Sequence, residues 1–138
     1  MESRESRKLA VTLEQLAARG ADSAHITDAI VSTWESIDLA LSPIIGRKGV
    51  AALYARSLYL IRPRHPWVSG IQGADAIIDY SQLRALMSQQ GSAATAAAGG
   101  DHLQTLYELL GTLIGPSLTG QLLGAAWDNA FDRLPRRM

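Results

Sequence analysis

The chain has 138 residues, 47% of them hydrophobic and 19% charged, enough for one domain with a core and too little for two ordinary ones. It contains no cysteine, which excludes disulfides, thiolate catalysis and cysteine-based zinc or iron–sulfur sites. Net charge is zero but unevenly laid out: 1–38 is acidic, 39–74 holds five bases and no acid, and 75–132 sets six acids against Arg84 alone.

The N-terminal stretch mixes acids with bases and lacks the apolar core of a secretory signal, so a cytoplasmic protein is expected. A first amphipathic helix is predicted over Ser6 to Ala18, where Leu9, Leu13 and Leu16 share one face and Gly20 stops it. These three leucines are candidate dimer contacts. Asp22 or Ser23 then caps a second helix with the apolar face Ile26, Ile30, Trp34, Ile37 and Leu41. Pro43 lacks an amide hydrogen and disfavours helical geometry at Ser42, so the helix is expected to end or kink there.

After the tight connection between Gly46 and Gly49, a third helix runs from about Lys48 to Ile61. The segment from Arg62 to Gly73, with two prolines and two glycines, reads as an ordered loop pinned by Trp67. A fourth helix is expected from Asp75 to Gln90, with Ile77, Ile78, Leu83, Leu86 and Met87 available for burial. The small residues of 91–100 predict a flexible linker or a frayed alanine turn, because they offer little to bury. A fifth helix follows from Asp101 to Leu113 and a sixth from Ser117 to Arg133.

Helix, Ile-Gly and helix occur twice, at positions 69 apart. Trp34, Ile37, Leu41 and Ile44 lead into Ile45-Gly46, and Val50, Leu53, Tyr54 and Leu58 follow. Leu103, Leu106, Leu110 and Leu113 lead into Ile114-Gly115, and Thr119, Leu122, Leu123 and Trp127 follow. The fold expected is all-α: a single domain over 1–138, a six-helix bundle of two similar helical hairpins plus the N-terminal amphipathic helix. Leu109 to Trp127 carries no charge over 19 residues, but Pro116 and four glycines make a turn between packed helices the better reading than a membrane span.

Little here points to catalysis. The three histidines, His25, His65 and His102, fall on separate elements, and no metal or cofactor is expected. His102-Leu103 has the start of a phosphotransfer pattern without the lysine and glycine that follow it, so His102 reads as a surface residue near a helix start. Arg47 and Lys48 after the Gly46 turn superficially resemble a DNA-binding helix entrance, yet Ala51, Ala52, Ala55 and Ser57 offer little to read bases. The basic block reads better as a docking surface for an acidic protein or small anion. Arg56, Tyr59, Arg62, Arg64, His65 and Trp67 are its candidate residues, arginines and aromatics being typical of binding hot spots.

The segment Leu41 to Leu58, with His65-Pro66-Trp67 and the stretch from Leu113 to Trp127, resembles a group of small bacterial helical proteins loosely associated with signalling. That resemblance runs from Trp34 to Trp127, implies a regulatory or interaction role and transfers no functional residue. The function expected is a non-catalytic regulatory or protein-interaction module, a homodimer with an acidic protein partner. The alternatives are a small-ligand sensor with its pocket between the hairpins and a DNA-binding regulator.

Overall fold

The computed structural model describes residues 15, 18–20, 22–70 and 80–132, with side chains described as far as 125. Four α-helices are present among the described residues, with no strand: α1 Ser23–Ile61, α2 Tyr80–Ser88, α3 Ser92–Ile114 and α4 Pro116–Asp132, plus a 3-10 turn at Pro66–Gly70. The class is all-α, but the six-helix bundle is not what forms. The expected second and third helices are two arms of α1, bent at Gly46, and no separate loop divides them. The expected N-terminal helix with Leu9, Leu13 and Leu16, the segment 71–79 with Ile77 and Ile78, and the Arg133–Arg137 tail lie outside the described residues.

Asp22 caps α1, its carboxylate accepting the His25 amide at 2.9 Å. Just before it, Gly20 takes φ +88, the turn expected at that point. The helix passes through Pro43 and its non-helical residue is Gly46, a correction to the end or kink expected at Ser42. Pro43 lies in the last turn of its arm, so it deletes one backbone bond. Leu39, whose carbonyl would have accepted that bond, is an exposed residue, on the side of the helix away from the core.

Gly46 adopts φ 82, ψ 161 and Gly115 adopts φ 90, ψ 152. Both values fall in a backbone region that only glycine enters without strain. The residues leading into each break share a pattern of burial. Trp34 and Leu103, Ile37 and Leu106, and Leu41 and Leu110 are all fully enclosed. Ile44 and Leu113 depart from the expected buried stripe, being 50% and 66% exposed, while the adjacent Ile45 and Ile114 pack against the core.

α1 is the centre of the molecule and touches every other helix and the 3-10 turn. Being enclosed on several sides, it needs more than one buried stripe, and hydroxyls fill part of them. Thr27, Thr33 and Ser57 each return a hydroxyl hydrogen bond to the carbonyl four residues earlier, so they enter the interior with their donor satisfied.

The 91–100 segment is not a linker. Residues 92–100 are the first turns of α3, with Thr95, Ala96, Ala98, Gly99 and Gly100 buried. Alanine supplies helix propensity, and the small side chains let α1 approach until Ile30 occupies the space above Gly99. Thr95 ties this end down by donating its hydroxyl to the Met87 carbonyl at the end of α2, 3.0 Å away.

Candidate functional site

Arg56, Tyr59 and Arg62 come together on the second arm of α1. Their spacing of three residues places them on one exposed face, and both guanidiniums lie against the Tyr59 ring. The Arg56 and Arg62 Cζ atoms are 5.6 and 5.1 Å from its centroid, within the range of cation–π attraction. Tyr59 is nevertheless 55% exposed. Neither arginine has an acidic partner among the described residues. Lys48 and Ala52, further toward Gly46, continue the same exposed face.

Arg64 and His65 do not join this cluster. Both turn to Asp101 on α3: His65 Nε2 is 2.7 Å and Arg64 Nε 3.3 Å from the same oxygen, Oδ2. Their role is to hold the segment after α1 against α3. Asp101 was absent from the expected site because it stands 36 residues from His65, and no local spacing connects the two. Trp67 packs half-buried against the core beside the fully buried Val68, so its place is in the anchoring of the 3-10 turn. The six expected site residues thus divide into an outward trio, an ion-paired clasp and a packing residue.

A second cluster, unforeseen from the sequence, lies inside. The Trp34 ring meets Tyr54 edge-on, with centroids 5.0 Å apart, and His102 at 4.6 Å. Tyr80 stands edge-on to Tyr54. His102 is 1% exposed, not the surface residue near a helix start that was expected. The reason is that α3 begins at Ser92, which places position 102 mid-helix on the inner face. Its Nε2 is 3.2 Å from the Tyr54 carbonyl. A carbonyl only accepts, so the proton sits on Nε2 and Nδ1 carries a lone pair. Burial keeps this imidazole neutral, pushing its pKa down to about 3 against the opposing pull of the Tyr54 carbonyl. Its ring lies in the core, not at the exposed position a phosphotransfer histidine takes.

Trp34 Nε1, His102 Nδ1 and the Tyr80 hydroxyl find no hydrogen-bond partner among the described residues. Burial, then the Asp38 carboxylate, raises the Tyr80 pKa far above the usual tyrosine range, so its hydroxyl stays protonated. The described residues contain no group of three or more histidines and carboxylates able to hold a metal, and no helix long and apolar enough to cross a membrane.

No protein-family model, curated protein or solved structure matches this chain.

Proposed function

We propose that this chain is a non-catalytic regulatory or protein-interaction module of the cytoplasm that docks an acidic protein surface through Arg56, Tyr59 and Arg62. The observation that carries this reading is the pair of exposed guanidiniums on one exposed tyrosine ring, unneutralised by any described acid. Held on a helix face, such groups lose little conformational freedom on binding, and arginine and tyrosine are the residues that most often dominate interfaces. The common conformation of Gly46 and Gly115 supports reading the two helix–glycine–helix segments as an internal repeat, with the bases confined to the first copy.

The test is a capture experiment with Arg56→Glu/Arg62→Glu. The variant should keep its helical circular dichroism and lose the partner retained by the wild type. Undiminished capture would overturn the assignment. Salt-sensitive retardation of random duplex DNA, abolished in the same variant, would replace it with nucleic-acid binding.

A second reading, a small-ligand sensor, is favoured by the unpartnered polar atoms of Trp34, Tyr80 and His102. Each such buried atom costs about 1–3 kcal/mol, which a polar ligand could recover. A metabolite that raises the melting temperature of the wild type but not of His102→Phe would support it; no shift across the screen would dismiss it.

A further inference from the structure

We propose that the acidic surface received by Arg56, Tyr59 and Arg62 belongs to a second copy of this chain, namely the Glu35–Leu39 strip on the first arm of α1. This rests on the docking reading above and names its partner.

The strip is a charge and apolar complement to the patch. Glu35 and Leu39 are one turn apart, so they share a face, and both are exposed; Asp38 lies beside them, half-buried. Leu39 is 72% exposed, more than any other large hydrophobic side chain described. The fold does not demand a leucine there, since the position 69 residues on, Glu108, is a charged residue exposed on a helix of the same kind. Across the break, Tyr59 and Leu60 supply exposed apolar surface bordered by Arg56 and Arg62. A leucine set beside carboxylates would thus meet a tyrosine set between guanidiniums.

Some charges among the described residues are paired internally, whereas Arg47, Lys48 and Glu108 are exposed without an ion pair. Asp28 pairs with Arg84, and Asp101 with Arg64 and His65. Glu35, Arg56 and Arg62 have no ionic partner among the described residues, so both patches stand open within one chain. A net charge of zero also leaves no overall repulsion between copies. Every protomer carries both patches, so a two-fold pairing would form the contact twice. That doubling gives the pair twice the contact of a single patch.

The full chain should be examined by sedimentation velocity at low and high salt. The expected result is a dimer at about 100 µM protein whose dissociation constant rises at least about tenfold when salt is increased, since exposed charges are screened. Arg56→Glu/Arg62→Glu and Glu35→Arg/Leu39→Arg should each be monomeric with unchanged helicity. An equimolar mixture of the two variants should recover a dimer, because it offers one native contact and one with both signs exchanged. A monomeric wild type, a dimer that persists in either variant, or a mixture that stays monomeric overturns the proposal. If the wild type is monomeric yet captures an acidic protein through Arg56 and Arg62, self-pairing falls and the docking reading stands. If it does neither, both fall.

Discussion

Ile30 places its Cδ1 where Gly99 would carry a side chain: a Cβ built on Gly99 would lie 2.2 Å from that methyl and 2.8 Å from Cγ1. This contact joins α1 to α3, and it converts a stretch of small residues into a specific packing surface. Helical glycine is ordinarily worse than alanine by up to about 1 kcal/mol. Here the sign reverses. Gly99→Ala should destabilise by about 1–3 kcal/mol through overpacking, measured by urea denaturation. Ile30→Ala should remove that penalty, so the double variant should be more stable than the two single losses predict. Strict additivity would mean that Gly99 and Ile30 are not in contact.

The glycines at the two breaks call for the opposite comparison. Gly46→Ala and Gly115→Ala should each lose about 1–3 kcal/mol, although an added Cβ would meet nothing within 4 Å, because their backbone conformation strains any L side chain. Gly111 lies inside α3, also with open space around it, and Gly111→Ala should gain up to about 1 kcal/mol. Three thermal melts decide this. Equal effects at Gly46 and Gly111 would refute the backbone argument.

His102 makes stability depend on pH. Its folded pKa, about 3, lies below the ordinary 6.5, so between these values the unfolded chain binds a proton that the folded chain does not. Stability should therefore fall as pH drops through that window and level off above it. The loss attributable to His102 at pH 5, relative to pH 7, should be about 2 kcal/mol. His102→Gln retains an amide donor for the Tyr54 carbonyl and cannot titrate. Chemical denaturation at both pH values should show a correspondingly smaller pH dependence in this variant.

The clasp on Asp101 should be visible to a protease. Asp101→Ala releases Arg64 and His65 together, and we expect the Arg64–His65 bond to be cut by trypsin roughly fivefold faster, matching about 1 kcal/mol of lost local stability. Arg62 is followed by Pro63 and should remain uncut. An unchanged cleavage rate would show that the 3-10 turn is held by Val68 and Trp67 alone.

Helix periodicity and the Ile-Gly pairs made the two arms of α1, their break and the turn between α3 and α4 readable in the sequence. The start of α3 was not readable, because alanine and glycine leave no apolar stripe. The signal was one of phase: Thr95, Ala96 and Gly99 extend the Leu103, Leu106, Leu110 face backwards by helical spacing, and that extension puts His102 inside. Arg56, Tyr59 and Arg62 could be grouped because they are local to one helix. The contact of Arg64 and His65 with Asp101 is not legible in the sequence, since Asp101 is distant along the chain and only tertiary packing selects it. Pro43 misled for a related reason: its cost depends on where it falls in the helix, and in the last turn before Gly46 it removes only one backbone bond.

Joining long helices through a single glycine carries a consequence for how this protein can vary. An ordinary surface loop absorbs an inserted residue with little penalty. At Gly46 there is no loop to absorb it, and each residue added would turn the following arm by about 100°. One insertion would swing Tyr54 and Leu58 out of the interior and drive Arg56 and Tyr59 toward it. The two joints should therefore accept neither insertions nor deletions, and length variation among natural descendants of this chain should be concentrated elsewhere.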